Sequence, residues 1–173
     1  MAKKIMLKNV RLSFPDLYKK STFNGQEGKY GATLLLDKMD EDAYEALTSE
    51  IQAQLAEAKV KVSKDKWFLK DGDDSEYDGY EGMYSIKASN NQRPTLVDKD
   101  AVMSVPEDEL FYAGCYVNVS IGIWIQNNNY GKRVNCNLLG VQFVKDGKPM
   151  GGTGKVAAVD DFAPVATPKV QGL

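Results

Sequence analysis

The chain has 173 residues, of which 43% are hydrophobic and 27% charged, with a formal net charge of −2 and no histidine. This length is sufficient for one well-buried core. The lack of histidine excludes catalytic triads that depend on imidazole and removes the commonest zinc ligand. The chain starts without the apolar run of a secretory signal, and no apolar stretch is long enough to span a bilayer. We therefore expect a cytoplasmic protein without a membrane anchor, in which Cys115 and Cys136 are buried thiols.

Charge is unevenly distributed along the chain. Residues 1–36 hold seven Lys or Arg against two acids, and residues 111–159 hold five against one. The stretch 37–110 between them holds nine against nineteen. If the two ends pair in one sheet, the fold has a basic side. Binding to phosphates depends on such a local field rather than on the overall charge.

The first 60 residues predict two strands and a helix. Lys8–Phe14 alternates, with Val10, Leu12 and Phe14 on one side, and Lys29–Leu36 alternates in the same way. A polar loop over residues 16–28 joins these two strands. A helix over about 40–59 follows, because acids crowd its first turn and apolar residues recur at steps of three and four.

The second half of the chain predicts a third strand and a long hairpin. After a polar connection over 62–82, Met83–Ser89 has the pattern of a strand. Residues 115–126 alternate between aliphatic and polar side chains, and 132–144 run back after a turn at 127–131. Residues 151–173 lack periodicity and are interpreted as a flexible C-terminal tail. The predicted fold is mainly β with a helical insertion, compatible with an OB-fold-like five-stranded barrel over residues 1–150.

Two motif-like stretches fail on inspection. Residues 151–156 carry glycines and a lysine, but Pro149 and Val156 stand where a phosphate-binding loop needs Gly and Ser or Thr. The acidic run 71–82 has Glu76 and Gly82 where an EF-hand needs Gly and Glu. We expect no cofactor and no metal, and we interpret the acidic run as a solvated loop.

Aromatic and basic residues share the polar faces of the predicted strands, which is the arrangement that holds single-stranded nucleic acid by stacking and phosphate contacts. Trp124 is the first candidate, although it could instead pack beneath the helix or a long connection. Tyr30 has the most core-like position of the set. The candidates for base stacking are Trp124, Tyr116, Tyr84, Tyr130, Tyr18 and Tyr30. The candidates for phosphate contacts are Lys20, Lys19, Lys87, Arg133, Lys132 and Arg11.

Four segments resemble the single-stranded-DNA-binding proteins of tailed bacteriophages, in particular the Enc34-like family. They are Arg11–Pro15, Lys29–Lys38, Gly114–Val117 and Asn129–Gly147, and the similarity runs in order over about residues 5–152. This resemblance implies an OB-fold and sequence-independent binding of single strands. It also implies a role in phage DNA replication, recombination or repair inside the infected bacterium.

The resemblance also implies an acidic C-terminal segment that recruits phage or host replication proteins. Asp160, Asp161 and Phe162 have that character, but eleven further residues follow them. Two other classes of function stay open: an OB-like protein–protein adaptor, and a magnesium-dependent hydrolase that uses convergent acids. The expected function is non-catalytic binding of single-stranded DNA, and the sequence leaves open whether the chain forms a homo-oligomer.

Overall fold

Five long strands close into a barrel in the computed structural model, which describes residues 4–150 and 163–165. The barrel strands are β1 (Lys4–Asp16), β4 (Tyr30–Asp37), β6 (Met83–Asn90), β8 (Tyr116–Asn128) and β9 (Gly131–Lys145). The short strands between them are β2 (Thr22–Phe23), β3 (Gln26–Glu27), β5 (Leu69–Asp71) and β7 (Thr95–Val97). Single 3-10 turns cover Lys64–Lys66, Gly72–Asp74 and Pro106–Asp108.

The ring of strands has one parallel closure. Strand β1 pairs antiparallel with both β4 and β8, β4 pairs with β6, and β8 pairs with β9. The parallel pair β6–β9, with Ser89 opposite Asn137, completes the circle. This order confirms the predicted OB-fold-like five-stranded barrel with a helical insertion.

The β8–β9 hairpin supplies much of the core, as its alternation predicts. Val117, Val119, Ile121 and Ile123 are each 0% exposed, so the aliphatic face of β8 points into the barrel. The polar residues between them therefore point outward. Burial of such side chains is the main driving force for folding.

Helix α1 (Glu41–Ala58) lies between the second and third barrel strands in the chain and agrees with the predicted segment. The carboxylate of Asp40 caps its first turn by accepting a hydrogen bond from the backbone N–H of Ala43. Leu47 and Ile51, from the predicted apolar stripe, are fully buried. The helix packs against β8, where the Gln54 amide donates to the carbonyl of Ile123 at 3.0 Å. Within the described ranges, no helix is both long and apolar enough to cross a membrane.

Phe14 departs from its predicted position. The alternation of β1 places it beside Leu12 on the inner face, but its side chain is 52% exposed. The β1–β4 register shifts between Ser13 and Asp16, and Phe14 has a φ of 48°. A bulge of this kind turns the affected side chain toward the other face of the sheet.

The connection over residues 62–82 is more ordered than its polar composition predicts. Trp67 and Phe68 are buried at 7% exposure each, and β5 adds a short strand beside β6. We call residues 71–82 the acidic loop. Its Tyr80 is 4% exposed and its hydroxyl lies 2.8 Å from Ser13 Oγ, so the loop packs on the outer face of β1.

Candidate nucleic-acid interface

A groove of about 840 Å³ lies on the outer surface of the barrel. Its floor includes Thr33 of β4 and Ser85, Lys87 and Ser89 of β6, which alternate with buried residues of the same strands. The end of the β8–β9 hairpin forms one side, and the acidic loop contributes to the other. The groove thus covers the face of the second and third barrel strands, which is where OB-folds bind oligonucleotides.

Trp124 lies in the groove and not in the buried core cluster. Its side chain is partly exposed, and its indole Nε1–H donates to Asn137 Oδ1 at 3.1 Å. Beside it, the amide of Asn135 donates to Gln126 Oε1 at 2.9 Å. The bond to Asn137 holds the indole ring in one orientation.

Four cationic side chains line the groove. Lys87 and Arg133 are both exposed and belong to the predicted phosphate contacts. Lys29 and Lys70 join them, although neither is among the predicted site residues. In the described part of the chain, none of the four forms an ion pair with a carboxylate. The cations are therefore available to a ligand that carries negative charge.

Two carboxylates, Asp71 and Asp74, also line the groove. The Lys38 ammonium lies 2.6 Å from Asp71 Oδ1 and 2.6 Å from Asp73 Oδ2. Its hydrogen bonds lower the pKa of both carboxyl groups, and hydrogen bonding to Asp71 and then to Asp73 raises the pKa of Lys38. Lys38 thereby offsets part of the negative charge on this side of the groove. Within residues 4–150 and 163–165, no three acids or thiols converge as metal ligands would.

Sequence reasoning missed the two exposed aromatic residues of the groove, Phe14 and Tyr77, as well as three buried ones, Trp67, Phe68 and Tyr80. Phe14 reaches the outer surface through the β1 bulge, and Tyr77 belongs to the acidic loop. Neither position follows from alternation along a strand. The one usable signal in the sequence is the presence of Tyr77 and Tyr80 within an otherwise acidic run, since a fully solvated loop has no need of aromatic residues.

The other predicted stacking residues lie outside the groove lining. Tyr84 stacks on Tyr44 of α1 with ring centroids 4.2 Å apart. The Tyr18 hydroxyl is hydrogen-bonded to Ser104, and its ring lies beside Phe111. These two rings therefore take part in internal packing.

Tyr116, Tyr30 and Tyr130 each have a different setting. Tyr116 is at the far end of β8 from Trp124, with Lys145 Nζ 5.0 Å from its ring centroid. Tyr30 is half-buried, with Lys20 and Arg93 each 5.8 Å from its ring centroid. Tyr130 is 92% exposed in the turn between β8 and β9. Of these three, Tyr30 lies nearest in the chain to a groove residue, because it directly follows Lys29.

The remaining predicted phosphate contacts are also peripheral. Arg11 donates from Nε to the carbonyl of Gly114 and from a terminal nitrogen to that of Lys148, so it joins the segment before β8 to the segment after β9 and does not line the groove. Lys20 lies 3.8 Å from Glu27, Lys19 is exposed in the loop after β1, and Lys132 is exposed beside Arg133. Asp160, Asp161 and Phe162 lie outside the described residues.

A closed barrel of this strand order, with aromatic and cationic side chains along the face of its second and third strands, defines an OB-fold protein of the oligonucleotide-binding class. The chain belongs to the family of the Enterobacter phage Enc34 ssDNA-binding protein, whose family model matches residues 3–171. This finding confirms the resemblance noted in the sequence.

Solved structures and one curated relative agree with this assignment. The bacteriophage Enc34 single-stranded DNA-binding protein in complex with ssDNA is 34% identical, with a TM-score of 0.79 over 86% of this chain and 89% of that chain. A second structure of the Enc34 single-stranded DNA-binding protein is 34% identical, with a TM-score of 0.77 over 91% of this chain and 89% of that chain. Putative protein p50 of Acyrthosiphon pisum secondary endosymbiont phage 1 is 36% identical over 92% of both chains. The gp2.5 protein of bacteriophage T7, at 14% identity and a TM-score of 0.57 over 91% and 100%, shares the fold.

Proposed function

We propose that this chain binds single-stranded DNA in the groove between β4, β6 and the β8–β9 hairpin, without regard to base sequence, and acts in phage DNA replication, recombination or repair. One observation carries the proposal. The oriented indole of Trp124 shares an open groove with the exposed cations Lys87 and Arg133. A flat ring beside unpaired cations is what a single strand needs, because its bases stack and its phosphates are neutralised.

The stacking part of the interaction depends on Trp124. A base stacked on an aromatic side chain contributes about 1–3 kcal/mol to binding. The indole is already oriented by Asn137, so little side-chain freedom is lost when a base stacks on it. We therefore expect Trp124 to make the largest single aromatic contribution on the hairpin side of the groove.

The hydrogen bonds among the amide side chains of the groove support binding without regard to base sequence. Asn135 is bonded to Gln126, and Asn137 accepts from Trp124. Amide groups that already bond one another are less available to read the hydrogen-bonding edge of a base. Stacking tolerates every base because each has a flat face.

The peripheral candidates extend the proposed path rather than form its centre. Tyr130 and Lys132 lie in and beside the turn between the fourth and fifth barrel strands, one of the loops by which OB-folds contact oligonucleotides. Lys19, Lys20 and Tyr30 lie in or next to the loop between the first and second barrel strands, the other such loop. We assign Tyr84, Tyr18, Tyr116 and Arg11 to packing, because their described partners belong to the protein itself.

We further propose that the chain acts by binding and not by catalysis, since the family to which it belongs is described as ssDNA-binding. The acidic and aromatic residues Asp160, Asp161 and Phe162 support recruitment of phage or host replication proteins through the C-terminal segment. An infected bacterial cytoplasm is the setting that this role requires.

The test is fluorescence anisotropy of labelled oligo-dT titrated with the full chain at several salt concentrations. Wild type is expected to bind with an affinity that falls as salt rises, with a log–log slope of about −0.7 per neutralised phosphate. Trp124→Leu is expected to weaken binding roughly 5- to 150-fold, the equivalent of one lost stack. Arg133→Gln is expected to weaken binding and to make the salt slope shallower by about 0.7.

Lys61→Gln is the matched control, because it removes one exposed positive charge outside the groove. Its affinity and salt slope should equal those of wild type. Folded wild-type protein that does not bind oligo-dT at low salt would overturn the proposal and favour the adaptor class. If both groove variants bind oligo-dT as tightly as wild type, the protein binds single-stranded DNA at a site other than this groove.

A further inference from the structure

Phe14 and Tyr77 form an exposed aromatic pair in the groove that stands apart from Trp124. Phe14 is 52% exposed and Tyr77 is 53% exposed. Their ring centroids are 5.0 Å apart in an edge-to-face arrangement. Two aromatic side chains exposed side by side form a contiguous patch, and such patches mark interaction sites more often than single exposed residues do.

The backbone at Phe14 is held in a conformation that aromatic residues rarely adopt. Its φ of 48° lies in the left-handed region, which is an outlier for a bulky residue. Such strain persists only where the surrounding structure imposes it, and it is concentrated at functional sites. The bulge has a clear geometrical effect, because it turns a side chain from the inner series of β1 toward the groove.

Tyr77 is supported from behind by the rest of the acidic loop. Its ring centroid is 5.4 Å from that of the buried Tyr80, whose hydroxyl is hydrogen-bonded to Ser13. The two ends of the loop are joined, because Asp73 accepts from the backbone N–H of Gly82 at 2.9 Å while it is also bonded to Lys38. The pair is thus built on a fixed base and is not carried by a free loop.

The pair lies on the opposite side of the groove from Trp124. Across the groove, β4, β6 and β9 lie between the strand of Phe14 and the strand of Trp124. Strands β1 and β8 also pair directly, but Phe14 lies beyond one end of that pairing and Trp124 beyond the other. Four steps between neighbouring strands span about 19 Å along the sheet. One base cannot contact both places, and the cations Lys87 and Arg133 lie on the strands between them.

We propose that Phe14 and Tyr77 form a second base-stacking platform for single-stranded DNA, with the acidic loop as the element that holds it in place. This inference rests on the proposed function and adds a binding site for a second, separate base. The acidic loop is then part of the DNA site, although its charge alone would exclude it. A strand bound in the groove places bases at both aromatic ends and phosphates over the cations between them.

The experiment measures oligo-dT affinity for Phe14→Leu and Tyr77→Leu beside wild type. Each variant is expected to weaken binding roughly 5- to 150-fold for oligonucleotides long enough to cross the groove. Met103→Ala is the control, because Met103 is also strongly exposed, at 67%, but lies outside the groove and outside both loops of the proposed path. It should leave the affinity unchanged.

Phe14→Gly separates binding from folding. Glycine accepts a positive φ without a steric cost, so this variant should unfold at the same urea concentration as wild type or a higher one. It should nevertheless bind oligo-dT as weakly as Phe14→Leu. Wild-type affinity in Phe14→Gly and Tyr77→Leu, while Trp124→Leu binds weakly, would overturn the second platform and leave the proposed function intact. Absence of binding by wild type would overturn both.

Discussion

Trp124 is oriented by a neighbour before any ligand arrives. Its indole N–H donates to Asn137 Oδ1, and both residues lie on the outer face of the β8–β9 hairpin. A binding site whose side chains are held in place loses less conformational entropy when the ligand binds. The affinity of the groove should therefore depend on a residue that need not contact the DNA itself.

Asn137→Ala tests this dependence. The variant keeps Trp124 but removes its hydrogen-bond acceptor, and such a bond has a net value of about 0.5–1.5 kcal/mol. We expect oligo-dT affinity to fall roughly 2- to 10-fold, less than for Trp124→Leu, as measured by anisotropy. Asn118→Ala is the control, since it removes an amide bonded to Gln142 on the same face of β8 outside the groove. Equal affinities for Asn137→Ala and wild type would show that the orientation of the indole does not limit binding.

The two buried cysteines agree with their interpretation as internal thiols. Both Cys115 and Cys136 are free and buried, and desolvation raises the pKa of each thiol. A raised pKa keeps a thiol protonated and unreactive at neutral pH. Both cysteines therefore serve as packed residues of the core.

At the scale of elements, the hairpin and the helix could be predicted because each follows one strong period. The aliphatic series of β8 and the stripe Leu47–Ile51 of α1 are both local patterns, and both are buried as expected. Phe14 and Tyr77 could not be predicted in the same way. Their positions depend on a bulge in β1 and on a loop fixed by contacts such as Tyr80–Ser13, between residues 67 positions apart. No window along the sequence contains that information.

The acidic loop shows the same limit for charge. Its run of carboxylates predicts a solvated segment, whereas Lys38, 33 residues away from Asp71, ties the loop to the end of β4. The lowered pKa values of Asp71 and Asp73 mean that this attachment is present in full above the ordinary aspartate value of 3.8. It is lost as the pH falls through the lowered values, when the carboxylates become protonated.

Lys38→Met should therefore destabilise the protein at neutral pH but not in acid. The difference in urea unfolding midpoint between variant and wild type is expected at pH 7 and should shrink as the pH falls below 3.8, the ordinary value for the two carboxyl groups. Lys99→Met, which removes an exposed lysine that has no ion pair in the described ranges, controls for the loss of charge. A difference that is the same at pH 3 and pH 7 would contradict the role of the carboxylates.

At the scale of the whole molecule, the charge pattern of the chain predicts the binding face only in part. Lys29 and Arg133 come from the two basic ends of the sequence, as expected. Lys70 and Lys87 come from the acidic middle, because β5 and β6 bring them beside the others. Regional net charge describes the sequence well, but the field at a surface depends on which few side chains the fold places there.

The closure between β6 and β9 has a consequence for the stability of the complex. The backbone pairing at this seam is limited to Ser89 and Asn137, which both line the groove, and the Asn90 amide donates to the carbonyl of Leu138 beside it. A strand of DNA that contacts both Lys87 of β6 and Arg133 of β9 therefore bridges the seam and opposes separation of the two strands.

Oligo-dT should accordingly protect the barrel from opening. A ligand at a free concentration 100 times its Kd stabilises the folded state by about 2.7 kcal/mol, so the midpoint of thermal unfolding should rise with oligonucleotide concentration. Amide hydrogen exchange should slow on both β6 and β9, and less on β1, where it faces β8 on the other side of the barrel. If exchange slowed equally on all five strands, the DNA would stabilise the fold as a whole and not the β6–β9 seam in particular.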